Sequence, residues 1–197
     1  MARRPARTLQ HPVGKLNLLR LRCIQGLGFQ GLWDYLHEYE TPQPIRPDIV
    51  IDEIYNVDVL RLAANISRID PIDRPDAHAE LWSPVCGSSI AVDIKLKDGR
   101  ISDFAQHIKA CALGQAAASV LAQHVIGHDL AELEKLRDQM AAMLKGDGPP
   151  PGGDWQALSA LAPARAATSR HGAILLPFDA VIAAIKSALV ETATRDA

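Results

Sequence analysis

Cysteine is the residue type in this chain best suited to metal or sulfur chemistry, and three are present: Cys23, Cys86 and Cys111. A thiolate is both a nucleophile and a soft metal ligand. Spacing links two of them. Between Cys86 and Cys111 lie Ile90, Val92, Ile94 and Leu96 at alternate positions, then Asp98-Gly99, then a second run from Ile101 to Lys109. Asp-Gly is a strong two-residue hairpin signal. If Lys97 pairs with Arg100, paired residue numbers sum to 197, and so do Cys86 and Cys111. Side-chain patterning asks for one correction. Ile94 should share a face with Phe104, and Ile90 with Ile108, which needs one extra residue such as a bulge beside Gly99. In either register the two thiols lie near each other at one end of the ribbon.

Their settings suit reactive thiols. Cys86 lies in Pro84-Val85-Cys86-Gly87-Ser88, a tight entry to a strand, where Gly87 permits positive φ or close approach of a ligand. Cys111 opens an Ala-rich helix, and a helix N-terminus stabilises a thiolate. The plainer alternative is two small residues filling a corner of the core. Paired soft donors at a sheet end favour metal or sulfur chemistry over that alternative.

The elements that must position these thiols can be read in outline. Ile54, Val57, Leu60, Ala64 and Ile66 recur at helical spacing from Asp52 onward, and Pro71 and Pro75 end that stretch. Ala77–Trp82 reads as an edge strand, followed by the two hairpin strands. Ala112–Val125 reads as a buried helix. Asp129 caps another that runs to Lys145, with Leu130, Leu133, Leu136, Met140 and Leu144 on one stripe. Residues 146–153, rich in Gly and Pro, form a loop. A short helix follows at Trp155–Leu161. The last helix is expected to begin near Pro177, which suits a first turn, and to reach Thr192. The predicted fold class is α+β: a small three-stranded antiparallel sheet with helices packed on one face.

Composition narrows the classes. The 197 residues carry a net charge of −2, so nothing overall points to a nucleic-acid partner. No unbroken run of about 18 apolar residues occurs, so no membrane partner is expected. An odd cysteine count without a secretory signal argues against a disulfide framework and for a reducing compartment. Charge is uneven: residues 1–49 hold seven Arg or Lys and four acids, net +3, leaving −5 for residues 50–197. We therefore divide the chain into a basic leader with a Pro-rich linker at 1–49 and one domain at 50–197. Three readings of the leader stay open: an Arg-rich organelle transit peptide, a disordered basic arm, or a true start near Val50. Cys23 lies in this leader and is assigned no chemistry. The location expected is the bacterial cytoplasm, or an organelle matrix if the leader is a transit peptide.

At the two cysteines the chain resembles the iron–sulfur cluster assembly scaffolds of the IscU/SufU (NifU N-terminal) family. Pro84-Val85-Cys86-Gly87 resembles the first cysteine motif, and Ala110-Cys111 with a small-residue helix and Ser119 resembles the second. Gly127 and Leu130 fall where the family breaks one helix and starts the next. Ile54-Tyr55 and the helix to Ser67 resemble its opening. Arg165 and Arg170, followed by Leu175 and Leu176, resemble the third motif region of SufU-type members, and the long segment from Leu130 to Leu161 resembles the SufU arrangement, which has an insertion there. The resemblance runs over roughly residues 50–190.

It implies a scaffold or sulfur carrier rather than an enzyme. Such a protein accepts sulfur as a persulfide from a cysteine desulfurase and builds a transient [2Fe–2S] cluster for recipient apoproteins, or binds Zn²⁺ or Fe²⁺ at the same site. It implies Cys86 and Cys111 as sulfur acceptors and ligands, in a monomer or weak dimer. Two departures matter. The family's aspartate after the first cysteine is Ser88 here, and the third cysteine is Ala173. His171 lies beside the missing ligands and is the candidate third metal ligand. Two Cys and one His leave a tetrahedral site one ligand short, to be completed by water, a partner's residue or another subunit. His107 reads as a surface strand residue, and His124 and His128 as helix-end residues. Cys86 with His171 lacks a third group for hydrolysis. Two other functions compete: an interaction module that has lost cluster chemistry, and a structural zinc site.

Overall fold

The hairpin closes through Asp98 and Gly99, both at positive φ (54° and 75°), as a two-residue type I′ turn requires. The computed structural model describes residues 51–195. The leader call for 1–49 and Cys23 lie outside the described residues. Strand β2 (Ser89–Lys97) pairs antiparallel with β3 (Arg100–Lys109), and β1 (Ala77–Trp82) pairs antiparallel with β2, giving the order β1-β2-β3. Ile94 faces Phe104 and Ile90 faces Ile108. The extra residue that this register needs is Ser102, where pairing shifts between Lys95 and Leu96. The bulge thus lies within β3, three positions past Gly99.

One face of this sheet is apolar. Ile90, Val92 and Ile94 are buried, with Ala77 and Phe104 beside them. Three long helices complete the core: α3 (Ala112–His124), α4 (Leu130–Lys145) and α5 (His171–Arg195). On the opposite face His78, Glu80 and Trp82 are exposed. The arrangement is α+β, as expected.

The entry to the fold differs from the continuous helix expected from Asp52. Two short helices form, α1 (Ile51–Ile54) and α2 (Val57–Ala64). Asn56 breaks the stretch because its side chain accepts from the Val59 N–H and caps α2 instead of continuing α1. The helix stops at Asn65, well before Pro71. Asp129 caps α4 as expected, in a reciprocal capping box with Glu132, and Gly146 closes it in the left-handed region. The segment expected as a helix at 155–161 is a succession of 3₁₀ turns, Gly153–Ala166, with Pro163 inside it.

The largest departure is α5. It starts at His171, six residues before Pro177, and continues to Arg195. Its first turns bury Ala173 and Ile174 completely. That burial outweighs the preference of proline for a first turn, at the expense of one helical hydrogen bond: Pro177 has no N–H to offer the Ala173 carbonyl. By length and composition α5 could cross a membrane, since an 18-residue window within residues 168–191 has mean hydropathy 2.0. More than half of that window, 56%, is buried inside the fold, which is how a central core helix reads.

Candidate functional site

The loop from β1 to β2 is a tight turn that presents Cys86. The Ser83 N–H donates to the Ser88 carbonyl (2.7 Å), and the Gly87 N–H donates to the Ser83 carbonyl (2.9 Å). Gly87 takes φ 68° to allow this. Pro84 and Val85 are exposed, while Ser83 and Ser88 are buried on either side of the half-buried thiol. Cys86 Sγ lies 3.1 Å from Ser88 Oγ. Partial burial pushes the Cys86 thiol up. Hydrogen bonds from the Ser83 and Ser88 hydroxyls and the Ser88 backbone, with the charge of Arg170, outweigh that and hold it below the ordinary thiol value.

Cys111 follows β3 directly and is the N-cap residue of α3, with extended backbone (φ −66°, ψ 168°). Its side chain makes no capping hydrogen bond, so the thiol is not engaged with the helix N–H groups. It is half-buried and free, as is Cys86.

The first turn of α5 joins the two cysteine segments. A Cβ at Gly172 would stand 2.9 Å from Ser83 Oγ, and one at Gly114 would stand 2.9 Å from the Ala173 carbonyl oxygen. Residues 172 and 173 therefore lie against the loop that carries Cys86 and against the helix that starts at Cys111. His171 begins this turn. Its Nε2 is 3.1 Å from the Ala164 carbonyl oxygen, which can only accept, so that nitrogen donates. Among the described residues, no three His, Cys, Asp or Glu side chains come close enough to hold a metal ion together. Two soft thiolates supply half of a four-donor set.

The other residues singled out have structural settings. Ser119 is buried and donates to the Asn65 carbonyl (2.9 Å), pinning the end of α2 to α3. His124 and His128 stand at helix ends with their rings against Trp155. His107 is exposed on β3. Sequence reasoning missed the hydroxyls of Ser83 and Ser88 as partners of the thiol. The only signal was their position, two and three residues from Cys86.

Comparisons with known proteins bear on the family and the fold. Residues 54–171 match the model of the NifU-like N-terminal domain. The chain belongs to that family. The match ends at His171, just before Ala173. The iron–sulfur cluster assembly scaffold protein IscU 1 of Archaeoglobus fulgidus is 31% identical over 83 residues, 42% of this chain and 54% of that protein. The IscU scaffold of Thermotoga maritima is 29% identical over 62 residues, 32% of this chain and 44% of its own length. The chain thus spans about half the length of the curated relatives it matches. The crystal structure of a nitrogen-fixing NifU-like protein (N-terminal) from Brucella abortus is 46% identical, with TM-score 0.67 over 69% of this chain and 94% of that one. A putative scaffold protein for the SUF system from Fervidobacterium islandicum is 17% identical with TM-score 0.62, covers 68% of this chain and 98% of that chain, and shares the fold.

Proposed function

We propose that this protein is a scaffold or sulfur acceptor in iron–sulfur cluster assembly, with Cys86 and Cys111 as the groups that take persulfide or metal. The observation behind this reading is the convergence of both cysteine segments on the first turn of α5, in a fold whose relatives are named as cluster scaffolds. The sulfur donor would be a cysteine desulfurase. The Cys86 thiolate attacks the outer sulfur of the donor's persulfide. A new S–S bond forms on Cys86, the donor's S–S bond breaks, and the donor cysteine leaves as a thiolate. No net oxidation occurs. The Ser83 and Ser88 hydroxyls and Arg170 favour the attacking thiolate. The cargo would be a transient [2Fe–2S] cluster, or Zn²⁺ or Fe²⁺, passed to recipient apoproteins. His171 would join as a ligand through Nδ1, with Nε2 still donating to the Ala164 carbonyl. A reducing compartment such as the bacterial cytoplasm suits free thiols.

The test is metal and acid-labile sulfide analysis of anaerobically purified wild type and Cys86→Ser. Iron with sulfide, or zinc, present in the wild type and lost in the variant supports the reading. No metal, no sulfide and no persulfide in the wild type, even with a desulfurase supplied, would sink it.

One observation favours a second reading. No three potential ligands converge among the described residues. The protein would then be an interaction module that binds a desulfurase or recipient without carrying cargo. Partner binding would survive replacement of both cysteines.

A further inference from the structure

β1 is an edge strand, and one side of it has no neighbouring strand among the described residues. The Ser83 N–H donates to the Ser88 carbonyl (2.7 Å), and Leu81, Ala79 and Ala77 follow in register opposite Ile90, Val92 and Ile94. These odd-numbered residues therefore turn their N–H and C=O groups toward β2. His78, Glu80 and Trp82 turn theirs outward, where no described residue bonds to them. Their side chains share the sheet face that no helix covers. Trp82 is 72% exposed and stands across from the small Ser89. His78 is tied to Asp93 at 2.7 Å. Glu80, between them, lies across from Ala91 and has no ion-pair partner among the described residues. The edge thus offers a row of main-chain donors and acceptors, with an open carboxylate at its centre and an indole at one end.

We propose that β1 takes up an extended basic segment of a partner protein as an added antiparallel strand, with a Lys or Arg opposite Glu80 and an apolar side chain against Trp82. Main-chain bonds supply the affinity, and the alternate side chains supply the choice of partner. Charge selects the occupant. A second copy of β1, laid antiparallel so that all three outward residues pair, sets Glu80 against Glu80. Like charges directly opposite are unfavourable across a ladder. A cation there is favourable, and the net charge of −5 over residues 50–197 draws basic segments toward the domain. Trp82 leads directly into the turn that presents Cys86, so the docked strand ends beside that loop. The contact itself uses no thiol and stands apart from the cluster-assembly reading.

The probe is a synthetic peptide of alternating Val and Thr with one central Lys, added to the reduced full-length protein. Fluorescence anisotropy of the labelled peptide gives the affinity, and residue-resolved amide hydrogen exchange locates the contact. Sedimentation velocity without peptide gives the mass. The expected result is slower exchange, on the order of tenfold or more, at the His78, Glu80 and Trp82 amides. The Ala79 and Leu81 amides, already turned to β2, stay as they are. N-methylation of the peptide amides that face β1 should weaken binding on the order of tenfold or more. A central Glu in place of Lys should weaken it about fivefold, and Glu80→Lys should reverse that order. Cys86→Ser should bind the peptide as wild type does, so loss of the scaffold reading leaves this one intact. Equal binding of the N-methylated peptide would leave only an apolar contact with Trp82 and overturn the added strand. Equal binding of the Lys and Glu peptides would overturn the basic partner. No binding up to about 1 mM overturns the proposal outright. A doubled mass without peptide, with the same three amides protected, would give the edge to a second copy and also overturn it.

Discussion

Gly114 and Ala173 touch across the candidate site: a Cβ on Gly114 would stand 2.9 Å from the Ala173 carbonyl oxygen and 2.8 Å from the Ala110 Cβ. This contact sets how closely α5 approaches the start of α3, and so where residue 173 sits relative to Cys111. The Ala173 carbonyl is the one that Pro177 leaves without its helical donor.

Gly114→Ala tests the contact. In an isolated helix the change would stabilise by about 0.5–1 kcal/mol. Here both neighbours are backbone or a short side chain and cannot swing away. Overpacking of this kind costs about 1–3 kcal/mol, so the contact term should win. We expect a lower urea midpoint with an unchanged slope. A higher midpoint would mean that α5 can retreat freely, and that residue 173 is not held in place.

The Cys86 thiol should show its environment in its pH profile. An ordinary thiol titrates near about 8.5. Burial works against the thiolate at Cys86, but the Ser83 and Ser88 hydrogen bonds and Arg170 win, so the alkylation midpoint should fall below the ordinary value. The linked stability has a definite sign. Because the folded value is depressed, the stabilisation is fully present above the unfolded pKa and is lost as pH falls through the folded one. Ser83→Ala and Ser88→Ala should each move the midpoint up. Gly172→Ala should do the same without touching the thiol, since its new methyl would crowd Ser83 Oγ from 2.9 Å. An alkylation profile centred at or above the ordinary value would remove the serines and Arg170 from any role in activating Cys86.

Much of this arrangement was legible in the sequence because it is local. Asp98-Gly99 fixes the turn, and the apolar alternation around Ile90, Ile94, Phe104 and Ile108 fixes the register, including the one-residue correction. Those two facts put the two cysteine segments at one end of the ribbon. What stayed hidden is tertiary. Pro177 reads as a helix start, but the buried Ala173 and Ile174 pull the helix back to His171. Asn56 reads as an interior helix residue until its side chain takes the Val59 N–H. Gly114 and Gly172 read as ordinary small residues, because nothing in their local sequence reveals which backbone passes against them. The contact of His171 with the Ala164 carbonyl depends on the path of the 3₁₀ segment, which periodicity does not describe.

The resemblance to the scaffold family assigns two lost ligands, to Ser88 and Ala173. Restoring both, as Ser88→Asp with Ala173→Cys, should convert two donors into four within one chain. The expected gain in Zn²⁺ affinity is at least on the order of tenfold, measured by competition with a chromophoric chelator, since each ligand added to an open tetrahedral site strengthens binding. The same variant should bind one ion per chain as a monomer. Unchanged affinity in a variant that folds would show that positions 88 and 173 do not face the thiols as ligands.

Away from the site, the start of α4 should carry a measurable share of the fold's stability. Asp129 accepts from the Glu132 N–H (3.0 Å), Glu132 accepts from the Asp129 N–H (3.1 Å), and Arg100 reaches both carboxylates at 3.0 Å. This ties the hairpin end to the helix. Asp129→Ala removes the cap and should cost about 1 kcal/mol by chemical denaturation. The Glu132 carboxyl is held below its usual range first by the Asp129 N–H; partial desolvation opposes this, and Arg100 and His128 add to the lowering. A depressed carboxyl stabilises above its unfolded pKa, and that contribution is lost as pH falls through the folded value. Glu132→Gln should therefore flatten the acid limb of the stability curve while leaving its slope above neutrality unchanged. An acid limb identical to wild type would mean that solvent screening cancels the whole Arg100–Glu132–His128 contact, leaving the cap at Asp129 to hold the helix alone.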